Sequence, residues 1–563
     1  MYDVLNTVWE ELTGPGGAFE ISTIQVRGAP MRTFAAAPNS LRDVWGASLA
    51  FDERPYLVYQ EETLTYAQTH ENVDRIAAFM NAQGLAPGDR VAIAMRNFPE
   101  WMQCYWATVA SGLTVVGMNA WWVEDEMNYA LNDSSPKLLI ADEERLTRFE
   151  SIRSQHPSLP VVGVRTRDRD WVTPFGSVLQ SPARMPELAI DPDADACIFY
   201  TSGTTGRPKG AQQTHRGCVH NLLNMGFWAN CLAHTMNRVK GTPLPDPATA
   251  PQSAALVTTP LFHVTANNCL AHATTSGGGK LVHMFRWDAG EALKLIEREK
   301  ITSLTGVPVM SRELISHPDF HRYDTSSLIA VGGGGAQLQP DLVGKIDQTV
   351  ENARPGTGYG MTETCGIITS IGGDFFIDRP ESCGPAMPTF EAKTVNAEGV
   401  ETIGEPGELW VRGAPVIKGY LNRADATAET ITDGWLHTGD VATIDEDGFI
   451  FIVDRVKDMV LRGGENIYCS EVESVLFQID ELAECSVFGV PDDRLGEEVG
   501  AAIYLKPGQS KSAEDIRSFC AVLMAKHKIP AYLWILYAPL PRNASGKFLK
   551  RELRDRLPLA DAV

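Results

Sequence analysis

The sequence is poor in the patterns that build disulfide frameworks, metal sites held by protein ligands and membrane spans. It has 10 cysteines among 563 residues and no C-x-x-C pair, which favours scattered buried thiols over disulfide or zinc frameworks. No H-E-x-x-H segment occurs, so a metal held mainly by protein side chains is not indicated. No apolar run approaches the roughly 18 residues that a membrane-spanning helix needs. We therefore expect no integral membrane segment.

Positive charge is scarce as well. Lys and Arg total 49 against 71 Asp and Glu, which gives a formal net charge of -22. A surface of this sign repels phosphate backbones and anionic lipid, so nucleic acid and membrane surfaces are not expected partners. The first residues, MYDVLNTVWEEL, have no basic segment followed by an apolar one, and we see no signal peptide there. The expected location is the cytoplasm.

From about residue 55 onward, short apolar or β-branched runs alternate with segments of helical period. The runs are VAIAM (91–95), LTVVGM (113–118), KLLIAD (137–142), ACIFYTS (196–202), ALVTTPLF (255–262), KLVHM (280–284) and LIAVGGG (328–334). Helical segments between them include ALKLIEREK (292–300). The alternation predicts βα units, mostly parallel sheets and therefore the α/β class.

The pattern changes after about residue 390 to short strands with Gly and Asp turns, and we place a domain boundary at Arg455. Residues 1–455 are predicted to form a large domain of stacked α/β sheets plus a small β region. Residues 456–563 are predicted to form a small, mobile α+β domain. Its expected elements are a helix around 470–478, strands around 485–490, 501–505 and 533–538, and a helix ending near Lys526. Residues 240–252, rich in Pro, Ala and Thr, are predicted to be a surface loop.

The segment YTSGTTGRPKG (200–210) follows an apolar strand and concentrates hydroxyls, glycines and cations. Glycines allow backbone N–H groups to turn inward, and Lys209 adds a point charge, so the loop suits a polyphosphate. It is not a Walker A loop, because Pro208 stands where that pattern requires glycine. Ser202 is not a hydrolase elbow serine, since Tyr200 occupies the first glycine position.

This loop closely resembles the phosphate-binding signature of the AMP-binding, adenylate-forming superfamily, which includes acyl- and aryl-CoA ligases, adenylation domains and luciferases. Six further signatures follow in the family's order: PLFH (260–263), GGGA (333–336), GYGMTET (358–364), GWLHTGD (434–440), DRVKDMVLRGGENIYCSEVE (454–473) and PRNASGK (541–547). The resemblance extends from about residue 64 to residue 554. The chain is thereby identified as similar to acyl-CoA synthetases, and the resemblance implies ATP/AMP, Mg2+ and CoA as ligands.

The resemblance implies a nucleotide site drawn from several segments. Tyr359 is implied to stack on adenine, against the bare backbone of GGGA, and Thr362 to bond the α-phosphate. Glu363 is implied to hold Mg2+, which prefers hard oxygen ligands. The full implied set for ATP and CoA is Thr201, Ser202, Gly203, Thr204, Thr205, Lys209, Gly334, Gly335, Ala336, Tyr359, Asp440, Arg455 and Gly464. In that set Asp440 and Arg455 are implied to bind the ribose hydroxyls, and Gly464 to let backbone approach the pantetheine arm of CoA.

Lys547, in PRNASGK, is implied to be the central catalytic residue. Adenylation brings a carboxylate against an anionic α-phosphate, and a cation beside the reacting oxygens offsets that repulsion. Thr362, Glu363 and His263 complete the expected catalytic set. Lys457 stands at the family's hinge position, about which the small domain turns between half-reactions.

Two features narrow the carboxylic acid. Amino-acid-activating relatives carry Phe-Asp where this chain has Phe262-His263, so an amino-acid substrate is not expected. Acetyl- and propionyl-CoA synthetases place a tryptophan where Gly360 stands, and its absence predicts a longer pocket. Each added methylene buried there is worth about 0.8 kcal/mol. The expected pocket residues, besides His263, are Phe227, Trp228, Val264, Asn267, Gly306, Val307, Gly360 and Met361.

The expected activity is an ATP-dependent acid–thiol ligase: a carboxylic acid and ATP give acyl-AMP and pyrophosphate, and CoA then takes the acyl group. Medium- or long-chain fatty acids or other bulky hydrophobic acids are the expected substrates. Alternatives are an aryl- or cinnamate-type CoA ligase, an acyl-AMP ligase that serves a carrier protein and, more distantly, a non-catalytic nucleotide-binding protein. The sequence leaves the oligomeric state open, with a homodimer as one option.

Overall fold

The computed structural model describes residues 1–201, 207–246, 249–463, 465–543 and 546–563. In chain order, the α-helices of this part are α1 (Tyr2–Thr13), α2 (Leu41–Ala47), α3 (Tyr66–Ala82), α4 (Pro99–Ala110), α5 (Glu124–Ser134), α6 (Glu143–Ile152), α7 (Phe175–Val178), α8 (His215–Lys240), α9 (His272–Ser276), α10 (Ala289–Glu299), α11 (Pro308–Ile315), α12 (Pro340–Thr349), α13 (Asp374–Asp378), α14 (Ala424–Thr430), α15 (Cys469–Leu476), α16 (Ala513–Leu523) and α17 (Lys550–Arg556).

The strands follow the same order. They are β1 (Ile21–Val26), β2 (Ala29–Phe34), β3 (Pro55–Tyr59), β4 (Glu62–Thr65), β5 (Arg90–Ala94), β6 (Thr114–Gly117), β7 (Leu138–Asp142), β8 (Val161–Val164), β9 (Thr173–Pro174), β10 (Asp195–Thr201), β11 (Lys209–Thr214), β12 (Ala254–Val257), β13 (Lys280–His283), β14 (Ser303–Gly306), β15 (Ala330–Gly334), β16 (Arg354–Met361), β17 (Gly366–Gly372), β18 (Gly384–Pro385), β19 (Phe390–Val395), β20 (Glu401–Thr402), β21 (Gly407–Gly413), β22 (Gly419–Tyr420), β23 (Ile431–Thr432), β24 (Trp435–Ile444), β25 (Phe449–Arg455), β26 (Val460–Arg462), β27 (Glu465–Ile467), β28 (Leu482–Asp492), β29 (Gly496–Leu505) and β30 (Tyr532–Leu536).

Two eight-stranded sheets form the body of the large domain, in the orders β22-β11-β10-β6-β5-β7-β8-β9 and β17-β16-β15-β14-β12-β13-β3-β4. Their central strands pair in parallel, as β5 does with β6 and β7, and antiparallel pairs such as β10–β11 and β16–β17 lie toward the edges. Central strands such as β7 are buried along their whole length, which is why they read as continuous apolar runs. The α/β prediction is confirmed.

A seven-stranded antiparallel sheet follows, with β18-β25-β24-β21-β19-β20 in order and β23 added to β24. The last strand of this sheet along the chain is β25, which ends at Arg455. The next strand, β26, belongs to a separate five-stranded sheet with β27, β28, β29 and β30. That second sheet has its own buried cluster, which includes Val460, Val472 and Leu533. The small α+β unit expected after Arg455 is therefore present as a packed body.

Three local expectations need correction. The strand predicted over 255–262 ends at Val257, since Pro260 has no N–H to donate to a sheet. The helix predicted to end near Lys526 ends at Leu523, where Met524 turns to an extended conformation. Before residue 55, where no element was predicted, the structure adds α1, which packs against α8.

All ten cysteines are free thiols, nine of them buried. Within the described ranges no helix combines the length and apolar character needed to cross a bilayer.

Candidate active site

One group of expected nucleotide ligands meets where β24 and β25 pair beside β16. Antiparallel pairing sets Asp440 directly opposite Arg455, and the Arg455 Nε lies 3.2 Å from the Asp440 Oδ1. From β16, the Tyr359 hydroxyl donates to the Asp440 Oδ2 at 2.6 Å. Burial, and then the negative Asp440, raise the pKa of Tyr359 well above its usual value, so this hydroxyl stays a donor. Asp440, only 6% exposed, is fixed from two sides.

Glu363 follows β16 on a short 3-10 turn, Thr362–Thr364. The side chain is 7% exposed, and its Oε1 accepts a hydrogen bond from the Tyr420 hydroxyl at 2.7 Å. The Thr362 carbonyl accepts from the Gln213 Nε2 at 2.8 Å, which ties the turn to β11. Lys209, the cation of the 200–210 loop, places its Nζ 4.2 Å from the Tyr420 ring centroid. Sequence reasoning missed Tyr420, because nothing in the chain order links residue 420 to residue 363.

Lys547 belongs to the small domain and reaches the residues of the large one. A Cβ added to Gly335, in the GGGA turn, would lie 3.9 Å from the Lys547 Cε. Burial, and then the charge of Arg455, lower the pKa of Lys547, while Asp440 and Glu363 act in the opposite direction. The structure therefore brings the expected catalytic lysine together with the expected adenine, ribose and metal residues.

The loop that carries Lys547 is held by its own hydrogen bonds. The Lys547 N–H donates to the Asn543 Oδ1 at 3.0 Å, and the Asn543 N–H donates back to the Lys547 carbonyl at 2.9 Å. A Cβ added to Gly546 would lie 2.8 Å from the Val307 Cγ2. Val307, expected in the acyl pocket, thus packs against the lysine loop.

His263 lies close enough to this lysine for their charges to interact. Burial, and then the positive charge of Lys547, lower the pKa of His263 to about 4. Its ring lies 4.7 Å from that of Phe262, between centroids. The imidazole is therefore neutral near pH 7, and it can act by hydrogen bonding or by shape but not as a cation.

Two expected pocket residues lie in the core. Phe227 is completely buried, with its ring 4.6 Å from Trp9 and 5.6 Å from Phe19, edge-on in both cases. Asn267 is also completely buried, and it accepts from the Trp101 Nε1 at 3.2 Å. For these two side chains the structure shows packing roles in place of the expected pocket wall.

Gly360 was expected to lengthen the acyl pocket, but its surroundings in the structure differ from that expectation. A Cβ added there would lie 1.9 Å from the Gly366 carbonyl oxygen, at the bulge where β17 pairs with β16. The missing side chain makes room for the neighbouring strand and does not open a pocket. Gly306 differs, because its added Cβ would meet side chains, the Met310 Sδ at 2.7 Å and the Thr258 Oγ1 at 3.0 Å.

The other expected pocket residues are Trp228, Val264 and Met361, of which the first two are buried and Met361 is half-buried. Trp228 lies beside Phe227 on α8, with Trp9 6.5 Å away between ring centroids. A cavity of about 120 Å³ near the PLFH segment has Phe262, Pro260, Thr258 and Met310 among its lining residues. Sequence reasoning gave no role to Met310 or Thr258.

Several expected nucleotide residues cannot be placed. Ser202, Gly203, Thr204, Thr205 and Gly464 lie outside the described residues. Thr201 and Lys209, which flank the first four, pair across β10 and β11. Gly334 ends β15, and Ala336 is exposed beside Gly335. The expected hinge residue, Lys457, is exposed in the turn between β25 and β26.

Comparison with known proteins decides the family. The AMP-binding enzyme profile matches residues 47–421, and the profile of the AMP-binding enzyme C-terminal domain matches residues 471–547. The chain belongs to the AMP-binding enzyme family. It is 33% identical over 497 residues to feruloyl-CoA synthase from Amycolatopsis sp, with 88% of this chain and 94% of the relative covered.

Two more members of the AMP-binding enzyme family show the range of relatives. Identity to the fatty acid–[acyl-carrier-protein] ligase ScoC of Streptomyces coeruleorubidus is 32% over 514 residues, with 89% and 93% of the two chains covered. The solved o-succinylbenzoate CoA synthetase MenE of Bacillus subtilis, in complex with its acyl-adenylate OSB-AMP, superposes with a TM-score of 0.75 at 28% identity, covering 91% of this chain and 98% of MenE.

This AMP-binding enzyme is accordingly an AMP-forming acid–thiol ligase of the acyl/aryl-CoA ligase type, which uses ATP and CoA. The non-catalytic alternative is set aside.

Proposed function

We propose that this enzyme adenylates a medium- or long-chain fatty acid, or another bulky hydrophobic carboxylic acid, and transfers the acyl group to CoA. The observation that carries the proposal is the position of Lys547. Its side chain lies against Gly335 and within electrostatic range of Asp440, Glu363 and Arg455. A small-domain cation is therefore already among the large-domain residues that fit ATP.

In the first half-reaction, a substrate carboxylate oxygen attacks the α-phosphorus of ATP, and the bond from that phosphorus to pyrophosphate breaks. The Lys547 ammonium offsets the repulsion between the two anions and the charge that develops as they approach. Asp440 and Arg455 orient the ribose, and Tyr359 holds the Asp440 carboxylate while its ring faces the base.

In the second half-reaction, the CoA thiolate attacks the acyl carbonyl carbon, the bond from that carbon to the AMP oxygen breaks, and AMP leaves with the electron pair. Lys547 has no part in this step, so the small domain can turn away about Lys457 and present a different face. The same cleft then serves two reactions in sequence.

Glu363 fits a magnesium ion by its chemistry. It is a buried carboxylate, and among the described residues no ion pair joins it to a lysine or arginine. A buried carboxylate needs a charge partner or hydrogen bonds, and Mg2+ prefers such oxygens together with substrate phosphates. Bound beside Glu363, the ion would neutralise charge on the triphosphate. We propose Glu363 as its protein ligand.

The acid is proposed from the Phe262-His263 pair. His263 is neutral near pH 7, and neither residue offers the carboxylate that would hold an α-ammonium group. Neighbouring Phe262 is buried, and the adjoining cavity contains Met310 and Pro260. The same cavity is also lined by Arg96, Asn97 and Arg286, and its apolar residues would favour an acid by buried hydrocarbon, at about 0.8 kcal/mol for each methylene.

The relatives leave two questions open, the class of acid and the acceptor of the acyl group. One relative is a feruloyl-CoA synthase and another is a fatty acid–[acyl-carrier-protein] ligase. CoA is the proposed acceptor because relatives such as feruloyl-CoA synthase and o-succinylbenzoate CoA synthetase are named as CoA ligases. An aryl- or cinnamate-type acid is the second candidate, since feruloyl-CoA synthase is among the relatives.

A substrate panel tests the proposal. Purified enzyme with ATP and Mg2+ is given fatty, branched, aryl and amino acids, and pyrophosphate release is measured with and without CoA. We expect acyl-adenylate from hydrophobic acids alone, thioester only with CoA, and no turnover of amino acids. Preference for ferulate-like acids would favour the aryl alternative, acyl transfer to carrier protein but not to CoA would change the acceptor, and no adenylate from any acid would refute the proposal.

A further inference from the structure

Tyr420 connects two parts of the site that are far apart in the chain. It lies in β22, the edge strand that pairs with β11 through Ala211 opposite Tyr420. Its hydroxyl donates to the Glu363 Oε1 at 2.7 Å, and the Lys209 ammonium lies 4.2 Å from the centroid of its ring. One buried side chain therefore touches both the expected metal ligand and the cation of the 200–210 loop.

The two contacts use different parts of the tyrosine. A hydroxyl bonded to a carboxylate is a strong, directional contact, which fixes the rotation of the carboxylate plane. The ring face attracts the ammonium through its quadrupole and needs no hydroxyl to do so. The carboxylate and the ammonium thus contact different parts of one side chain, the hydroxyl and the ring.

Tyr420 is itself rigidly placed. Its N–H donates to the Thr427 Oγ1 at 2.9 Å, and the next residue, Leu421, donates to the Gly210 carbonyl at 2.8 Å. The Ile417 N–H donates to the Glu363 carbonyl at 2.9 Å, so the segment before β22 also holds the backbone of the glutamate. Only 5% of Tyr420 is exposed, and it has little freedom to turn.

We propose that Tyr420 is a positioning residue for the metal-bound triphosphate, which holds the Glu363 carboxylate by its hydroxyl and the Lys209 ammonium by its ring. The inference rests on the proposed function of the site as a magnesium–ATP site.

Metal affinity tests the hydroxyl. Binding of Mn2+ to the enzyme with a non-hydrolysable ATP analogue is followed by electron paramagnetic resonance, and affinity for the same analogue is measured separately with EDTA. In Tyr420→Phe, which keeps the ring, we expect Mn2+ affinity to fall about tenfold, as is usual when a group supporting a metal ligand is lost. Metal-free affinity for the analogue should stay within about twofold, because the ring still holds Lys209.

Removing the ring as well tests the second contact. In Tyr420→Leu we expect the same loss of Mn2+ affinity and, in addition, a fall of about threefold or more in metal-free affinity for the analogue, since Lys209 loses its aromatic face. The matched control is Tyr2→Phe, which deletes another tyrosine–carboxylate hydrogen bond, to the Asp378 Oδ2 at 2.6 Å, outside the site. It should change neither affinity.

Unchanged Mn2+ affinity in Tyr420→Phe would overturn the inference, and so would equal losses of metal-bound and metal-free affinity in that variant. Identical behaviour of the Phe and Leu variants would remove the role of the ring. These binding measurements use no carboxylic acid. Failure to find a substrate would therefore refute the proposed function, but the result of the Mn2+ binding test could still be interpreted.

Discussion

The two domains place their catalytic groups by different means. In the large domain, Asp440 and Arg455 are opposite each other because β24 and β25 pair in one register, and a one-residue slip would turn every side chain of the slipped strand to the other face of the sheet. In the small domain, Lys547 lies on the loop between β30 and α17, and it reaches Arg455, Asp440 and Glu363 across the boundary between the two domains. Asp440 and Arg455 are therefore set by pairing within one sheet, whereas the position of Lys547 beside them also depends on how the two domains pack.

The largest effect on activity should come from removing the Lys547 ammonium. For Lys547→Ala we expect ATP–pyrophosphate exchange with the true acid to fall about a hundredfold or more, since one preorganised charge at a transition state is worth that much. CoA transfer from supplied acyl-AMP should change only a few-fold. Both half-reactions are measured on the same preparation.

The matched control for that variant is Lys511→Ala, which removes a surface ion pair with Glu481 in the same domain, 2.9 Å between Nζ and Oε2. It should leave both half-reactions unchanged. If Lys547→Ala slowed both half-reactions equally, the lysine would not be specific to adenylation.

A substitution at the expected hinge residue, Lys457, should have a smaller effect and should slow the second half-reaction instead of the first. Lys457 lies between Val456, whose N–H donates to the Gly439 carbonyl, and Asp458, whose N–H donates to the Arg455 carbonyl. Proline fixes φ near −65°, so Lys457→Pro should restrict the turn. We expect adenylation within a few-fold of the parent and thioester formation lowered about tenfold or more, because domain motion gates the second step.

Lys457→Ala is the control for the hinge variant, because it removes the side chain and keeps the backbone free. It should retain both half-reactions. Equal damage to the two half-reactions in Lys457→Pro would place the pivot at another residue.

The difference between the domains also limits what could be predicted from sequence. Signature segments kept in order were enough to select Tyr359, Asp440 and Lys547, which the structure brings together. Tyr420 could not be selected in this way, because it reaches Glu363 through a two-residue edge strand in another sheet. A sequence does not show which short strands will pair.

The direction in which a side chain points was also not predictable from the sequence. The apolar character of Phe227 predicts burial, but α1, which covers it, lies in a part of the chain where no element was expected. At Gly360 the sequence shows that a side chain is missing, but it does not show which neighbouring segment occupies the space. In both cases tertiary packing determines what surrounds the residue, and the local sequence pattern does not identify the neighbouring segment.

The last expected effect is on stability, not on activity, and concerns the junction of the two domains. The Asp454 carboxyl, on β25, accepts the N–H of Arg455 at 2.7 Å and the N–H of Cys469 at the start of α15. Burial, opposed by the charge of Lys550, raises the pKa of Asp454 to about 6 from 3.8. Between about pH 4 and pH 6 the folded chain therefore binds more protons here than the unfolded chain. The contribution of Asp454 to stability must then fall as pH rises through that window.

Asp454→Asn cannot ionise, so it should lack this decline, and the gap in unfolding free energy between variant and parent should change by at most about 3 kcal/mol across the window. Denaturant midpoints at a series of pH values measure the gap. Asp445→Asn, which alters a half-buried partner of Arg379, is the control and should keep the parental slope near pH 6. Parallel curves for Asp454→Asn and the parent would mean that the carboxyl titrates alike in both states, and that the contact between β25 and α15 does not depend on its charge.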